Sequence, residues 1–257
     1  MTEYTRNNGF LHQVYHVAWS DLMYMKHTFW NTVLMTIITP LLYLIAFGYG
    51  LRGGETDIGV SYVAFVIPGI MALTSLSSSF STTSARINIQ RIYYKSFDEM
   101  MLCPLSNSAI ILGKSILGIV RGLLGCFVMY ALGLLLAPDL SLTPLAIICV
   151  IVSCVSFSML GVAAALIAKS HTSMATFNTL VILPMTFLCG TFFSVDSLHP
   201  VFRAILYCLP LTHSSLAMRA ACLPDVLDFP WICMIVLILF AVAFFIVDYY
   251  LLKTRKV

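Results

Sequence analysis

Six runs of apolar residues alternate with short polar segments along this 257-residue chain. The runs cover residues 31–50, 61–84, 109–137, 144–168, 173–193 and 231–252. Each run is close to or above the ~20 residues that an α-helix needs to cross the ~30 Å hydrocarbon layer of a bilayer. The pattern therefore predicts six membrane-spanning helices.

Three segments outside these runs carry patterns of their own. Residues 9–28 are predicted to form an amphipathic interface helix, since apolar residues recur on one face and the segment is too polar to span. Residues 94–104, between the second and third spans, are predicted to form a short helix that Pro104 ends. Residues 194–230 contain two apolar stretches of about twelve residues, separated by Pro210, a length that favours re-entrant helices on the outer side.

Composition supports an all-α integral membrane protein with a single transmembrane domain over residues 1–257. Hydrophobic residues make up 60% of the chain and charged residues only 10%, against about 25% charged in soluble domains. A soluble domain of this size must present a largely polar surface, which this composition does not supply. The eight cysteines form no CxxC pair, so the sequence predicts neither a metal site nor a disulfide framework.

The distribution of basic residues predicts the orientation in the membrane. Six spans place both termini on one side, and that side receives eleven of the 14 lysines and arginines. The other three are Arg52, Arg203 and Arg219. Because basic residues concentrate on the cytoplasmic side, both termini and the segment 94–104 are predicted to be cytoplasmic.

Polar residues inside the predicted spans need an explanation. We expect the ammonium of Lys114 to snorkel to the membrane interface, and we expect Arg121 to need an acidic, backbone or headgroup partner. The second span ends in a dense hydroxyl run, namely Ser75, Ser77, Ser78, Ser79, Ser81, Thr82, Thr83 and Ser84. Small hydroxyl residues allow helices to pack closely, and they also line polar pathways. The density of the run favours contact with a water-filled cavity.

The sequence predicts no catalytic or nucleotide-binding site in this chain. Residues 108–115, SAIILGKS, approach the phosphate-loop pattern GxxxxGK[ST], but Ser108 stands where that loop needs glycine. No GxSxG or HExxH pattern accompanies it. Two alternatives to a transport function stay open here. One is an integral-membrane enzyme acting on lipid-linked substrates through Asp98, Glu99 and His171, and the other is an assembly protein that only docks a soluble partner.

Three stretches resemble one known family. They are PGIMALTS at 68–75, KSFDEMMLCPLS at 95–106, and GTFFSVDSLHP followed by LPLTHSSLAMRA between residues 190 and 220. With the order of the helices, they make the chain similar to the type-2 permease subunits of ATP-binding-cassette exporters. The nodulation-type lipo-oligosaccharide exporters and the daunorubicin-resistance-type drug exporters are the members it resembles most.

The resemblance implies a function, a location and a set of partners. The chain would be a non-enzymatic permease in the inner membrane of a prokaryote, moving an amphipathic drug, glycolipid or lipo-oligosaccharide outward. A separate cytoplasmic ATPase dimer would bind the ATP and magnesium, so that this chain needs no cofactor. The other implied partners are a second permease chain, identical or closely related, and membrane lipid, with no nucleic acid.

The resemblance also assigns roles to individual residues. In the coupling helix that the ATPase grips, at 94–104, they are Phe97, Asp98, Glu99, Met100 and Leu102. Candidates for lining the translocation path are Ser77, Ser81, Asn178 and Thr179. In the outer segment, which would act as a lid, the polar anchors are His213 and Arg219, for which a structural role is expected rather than substrate binding.

Overall fold

The computed structural model describes residues 9–49, 61–137, 140–141, 143–188 and 199–255. Its regular secondary structure within these ranges is entirely helical, which confirms the all-α part of the predicted fold class. In chain order the helices are α1 (Phe10–His27), α2 (Phe29–Tyr43), α3 (Tyr62–Asn88), α4 (Ser96–Leu102), α5 (Asn107–Leu136), α6 (Pro144–Ile167), α7 (His171–Phe177), α8 (Leu183–Leu188), α9 (Pro200–Tyr207), α10 (Pro210–Cys222) and α11 (Trp231–Arg255). Wider π-helical turns extend α2 to Tyr49 and α3 to Tyr93, and they join α7 to α8 over Asn178–Ile182.

Five helices in the described part of the chain are long and apolar enough to cross a membrane. They are Phe29–Ala46, Tyr62–Tyr93, Asn107–Leu136, Pro144–Ile167 and Trp231–Thr254, and they correspond to the first four predicted runs and the last. The predicted fifth run is helical from His171 to Leu188, with a π-helical turn in its middle, and residues 189–193 lie outside the described ranges. A crossing by this run therefore stays a prediction.

The outer segment contains two helices that Pro210 separates. α9 and α10 meet at 92°, so together they form either a broken span or a re-entrant loop. Thr212 Oγ1 donates a hydrogen bond of 2.7 Å to the carbonyl of Leu206 across the bend. α10 is buried along almost its whole length against α3, α6 and α11. The bend therefore places a partly polar helix inside the bundle, beside the spans.

The hydroxyl run of α3 lies mostly in contacts with other helices of the same chain. α3 is the central helix of the bundle and packs against α5, α6 and α10. Ser75, Ser79, Thr83 and Ser84 are buried, whereas Ser81 is exposed. For the buried half of the run, close packing replaces the expected contact with a water-filled cavity.

Two glycines of α5 permit this close approach between helices. A Cβ at Gly118 would come under 3.0 Å from Thr83 Oγ1, and one at Gly122 would come under 3.0 Å from Ser79 Oγ. Thr83 also shares a 2.8 Å hydrogen bond with Ser158 of α6. Small residues that let backbones approach are the usual means of joining helices in a membrane, where water does not drive them together.

Candidate functional site

The short helix α4 is held between two backbone features. Lys95, just before it, has a φ of 58°, a left-handed conformation that turns the chain away from α3 and that an L-residue adopts only at an energetic cost. The helix ends at Leu102, because Cys103 is extended, as the residue before a proline must usually be. The helix is thus shorter than the predicted segment 94–104.

The residues predicted for coupling divide between the two faces of α4. Phe97 is only 3% exposed and belongs to a group that we call the inner cluster. Its members are Ile87, Phe97, Ile110, Ile111, Met159, Val162, Ala165, Leu166 and Leu252. Met100 is partly buried against the same cluster, whereas Asp98 and Glu99 are exposed and Leu102 is 88% exposed. One face therefore anchors the helix, and the other presents two carboxylates and an apolar side chain.

Helix α1, predicted to lie at the membrane interface, packs against α5 through a face centred on Val17, Ala18 and Asp21. Leu11 and Tyr15, which the sequence pattern placed on the apolar stripe with Ala18, are exposed. The packed face is thus rotated relative to the stripe that periodicity suggested. The position of α1 along a membrane surface stays a prediction.

Asp21 is the centre of a buried polar network that sequence reasoning missed. Its Oδ1 accepts hydrogen bonds of 2.9 Å from both Arg86 Nε and Gln90 Nε2. Its Oδ2 accepts a hydrogen bond of 2.8 Å from Lys114 Nζ, which also donates to Gln90 Oε1 at 2.8 Å. We call these four residues the Asp21 network. It joins α1 to α3, to the π-helical turn after α3 and to α5.

The network corrects the expectation for Lys114. Its side chain is 5% exposed and its ammonium pairs with Asp21, so it does not snorkel to the interface. Arg121, about two turns further along α5, donates from Nε to Thr36 Oγ1 of α2 at 3.0 Å. The sequence indicated only that Lys114 and Arg121 are cations inside an apolar run, a position that needs an explanation. Only the tertiary structure shows that an acidic residue of α1 is its partner.

Further polar contacts tie the neighbouring helix ends together. Arg91 donates from Nη1 to the carbonyl of Ala165 and, at 3.1 Å, to that of Leu166, near the C-terminal end of α6. A cation there also interacts favourably with the helix dipole. His171 Nδ1 lies 3.3 Å from Asn88 Nδ2, which connects the start of α7 to the end of α3. These contacts join the π-helical turn after α3 to the end of α6, and the end of α3 to the start of α7.

An open groove of about 430 Å³ lies between α1 and α4. His16 and Ser20 line it from α1, and Met100 lines it from α4. Arg86 and Lys114 of the Asp21 network also border it. Both of these cations pair with Asp21, so the groove borders a buried ion-pair network.

The four predicted path residues lie on two elements that meet at one aromatic contact. Phe80 of α3 stacks on Phe177 of α7 with ring centroids 5.9 Å apart. Ser77 is partly buried, and Ser81, Asn178 and Thr179 are exposed in the single chain. Thr179 Oγ1 donates to the carbonyl of Ala175 at 3.1 Å, so its hydroxyl is satisfied within its own helix.

The two predicted anchors of the outer segment make backbone contacts. His213 is buried, and its Nε2–H donates to the carbonyl of Tyr207 at 2.8 Å, across the bend between α9 and α10. Arg219 is also buried, its Nε donates to the carbonyl of Phe65 at 3.2 Å, and its guanidinium carbon lies 3.7 Å from the centroid of the Phe65 ring. These contacts hold α10 to α9 and to α3.

We expect His213→Leu to lower the stability of the protein by about 1–3 kcal/mol, because the Tyr207 carbonyl loses its partner. The measurement is thermal unfolding of the purified protein in detergent. The exposed His199→Leu is the matched control. Equal stabilities for the two variants would contradict the assigned contact.

The described side chains show no candidate catalytic centre. Among the described residues no group of three or more His, Cys, Asp and Glu is arranged to hold a metal ion. Asp98 and Glu99 are exposed on α4, and the ring of His171 contacts Asn88. The structure therefore adds nothing in favour of the enzyme alternative.

Comparison with known proteins gives consistent results. Residues 12–223 match the family model described as "ABC-2 type transporter". The chain is 25% identical over 243 residues to the inner membrane transport permease YadH of Escherichia coli strain K12, covering 93% of this chain and 94% of that protein. It is 31% identical over 242 residues to nodulation protein J of Rhizobium leguminosarum bv. viciae, covering 87% of each. With nodulation protein J of Rhizobium meliloti strain 1021 the identity is 32% over 202 residues, or 71% of each chain.

Proposed function

Because this chain belongs to the ABC-2 type transporter family, we propose that it is the membrane-spanning permease subunit of an ATP-driven exporter. It lies in the inner membrane with both termini in the cytoplasm, which the basic-residue distribution and the name of the Escherichia coli relative support. The energy comes from ATP, bound with magnesium and hydrolysed by a separate cytoplasmic ATPase. The substrate is an amphipathic molecule such as a drug, a glycolipid or a lipo-oligosaccharide.

The observation that carries this proposal is the two-faced structure of α4. A surface that receives force from a soluble motor must be exposed to it and must also be fixed to the helices that move. Asp98, Glu99 and Leu102 satisfy the first requirement, and Phe97 in the inner cluster satisfies the second. The exposed Tyr93 and Tyr94 extend the same surface, and aromatic residues are enriched at protein interfaces.

The Asp21 network extends the mechanical connection to α1. A largely buried group of charges joined by hydrogen bonds has few alternative geometries, so α1, the end of α3 and the start of α5 move together as one body. Closure of the ATPase dimer would displace α4 and α1 and thereby the spans to which they are fixed. Rigid-body motion of this kind is an established way to change access to a central path.

A second permease chain is required by the proposed translocation path. Ser81 and Asn178 are exposed in the single chain, and polar groups facing lipid would be unfavourable. A second copy or a close paralogue facing α3 and α7 would enclose them. Apolar residues on α2, including Met35 and Leu42, are also exposed and available to that chain or to lipid.

The test of the proposed function is charge reversal on α4. We expect Asp98→Lys combined with Glu99→Lys to weaken association with the ATPase about tenfold or more, since close charge pairs at interfaces couple by more than 1 kcal/mol. Substrate-stimulated ATP hydrolysis should fall with it, whereas membrane insertion should not change. Association is measured by co-purification and titration, and hydrolysis by phosphate release in proteoliposomes.

The matched control is Asp225→Lys combined with Asp228→Lys. Both carboxylates are exposed, and both lie in the segment predicted to face outward. This variant should bind the ATPase like the wild type. If the complex that contains the α4 variant hydrolyses ATP and transports as well as the complex with the control, α4 is not the coupling helix. ATP hydrolysis by this chain purified without the ATPase would contradict the permease assignment.

A further inference from the structure

Asp248 of α11 is a buried carboxyl whose charge nothing in the described part of the chain offsets. It is 0% exposed, and neither of its carboxyl oxygens has a hydrogen-bond partner among the described residues. In native structures almost every buried polar side-chain atom has a partner, so this exception requires an explanation. An ionisable residue inside a membrane span is in general a sign of function.

The surroundings of Asp248 are apolar and belong to the coupling region. Phe244 and Leu252 lie one helical turn to either side on the same face of α11, and both pack in the inner cluster. That cluster also contains Phe97, the anchor of α4. The carboxyl therefore lies on the face of α11 that packs against the inner cluster.

On the helices packed against α11, the ionisable groups with described hydrogen bonds bind partners other than Asp248. Lys114 of α5 binds Asp21 and Gln90, and Arg121 binds Thr36. His213 and Arg219 of α10 contact the carbonyls of Tyr207 and Phe65. Among the described side chains, the remaining groups are Cys126 and Tyr130 on α5, Cys149 and Cys154 on α6, Cys222 on α10, and Cys233, Tyr249, Tyr250 and Lys253 on α11 itself. Tyr249, Tyr250 and Lys253 are exposed, and neither a thiol nor a phenol supplies a positive charge.

A carboxylate ion in such a site is strongly unfavourable, because it loses its hydration and gains neither a counter-ion nor a hydrogen bond. The neutral acid avoids most of this penalty by binding one proton. We propose that Asp248 is a proton-binding site, whose carboxyl holds a proton at neutral pH and releases it when α11 separates from the inner cluster. Ionisation of Asp248 places a charge against the cluster that anchors Phe97. Proton binding at Asp248 and the packing of the coupling helix on the inner cluster therefore stabilise each other, a consequence that rests on the proposed function.

Infrared spectroscopy of protein labelled with ¹³C at the aspartate side-chain carboxyl tests the bound proton directly. At neutral pH we expect one carbonyl band of a protonated acid in the wild type, and we expect its loss in Asp248→Asn. Asp248→Glu serves as a second variant, since it keeps a carboxyl while the labelled aspartate band should again vanish. Absence of the band from the wild type, or its persistence in a folded variant, would overturn the proposal.

The same proton predicts how stability depends on pH. The folded state binds a proton that the unfolded state has already released, so Asp248 should lower the thermal stability of the wild type progressively as pH rises above about 4, the ordinary pKa of an aspartate. The slope of thermal stability against pH should be smaller in Asp248→Asn than in the wild type, and it should be unchanged in Asp225→Asn, an exposed control. Equal slopes for Asp248→Asn and the wild type would refute the site. Neither measurement uses the ATPase, so a failure of the proposed transport function would leave both results standing.

Discussion

Replacement of Asp21 by alanine is expected to destabilise the protein by about 3–5 kcal/mol, the usual result of removing one partner from a buried ion pair. Lys114, which is 5% exposed, would be left with an ammonium group that only Gln90 binds. Arg86 and Gln90 would lose the same acceptor. The measurement is thermal or denaturant unfolding of the purified chain in detergent, followed by tryptophan fluorescence or circular dichroism.

Two further variants separate the buried pair from a general effect of mutation. Asp21→Ala combined with Lys114→Met should be more stable than Asp21→Ala alone, because the double variant contains no uncompensated buried ammonium. Asp98→Ala removes an exposed carboxylate and should change stability by less than about 0.5 kcal/mol. If Asp21→Ala is no less stable than Asp98→Ala, the Asp21 network does not hold α1 to the bundle.

Replacement of Gly118 by valine is expected to have the second large effect, a loss of about 1–3 kcal/mol or more from overpacking. Even a Cβ would fall under 3.0 Å from Thr83 Oγ1, from the carbonyl oxygen of Ser79 and from Ser158 Oγ. Gly118→Ala tests the same contact more narrowly. Alanine favours a helix by about 1 kcal/mol over glycine, so a net loss of stability would show that the steric conflict is the larger effect.

The matched control is Ala131→Val on the exposed side of the same helix. It adds apolar volume to α5 without a neighbouring helix to displace, and its stability should stay within about 0.5 kcal/mol of the wild type. Thr83→Ala introduced into Gly118→Ala should recover part of the loss, since it removes the nearest obstructing atom. A valine at residue 118 that is tolerated as well as one at residue 131 would show that α3 and α5 do not pack as described.

Much of the fold follows from local patterns that act over a few residues. The length of an apolar run is sufficient to predict a membrane helix, and Pro104 and Pro210 mark breaks that the structure contains next to them. The family was predicted from three short stretches, and comparison with known proteins confirmed it. The predicted ends of the helices were less accurate than their existence, since the helix that begins with α3 continues to Tyr93, beyond the predicted end at residue 84.

The partners of the polar residues could not be predicted in the same way. A hydroxyl run on a helix is equally compatible with close packing and with a wet cavity, and the contact with Gly118 and Gly122 decided for packing over its buried half. Lys114 was expected to snorkel to the interface, as long basic side chains near a helix end can. Its actual partner is 93 residues away in the chain.

By itself, the sequence determined that this protein is helical and that it contains apolar segments long enough to span a membrane, because hydrophobic length and proline act within one segment. Three short stretches that resemble known permeases indicated its family. Only the tertiary structure decided that Asp21 neutralises a buried lysine and that Asp248 lies without a described partner. Those properties depend on which faces of distant helices meet. Side-chain charge is visible in a sequence, but whether it is solvated, paired or isolated is set by packing.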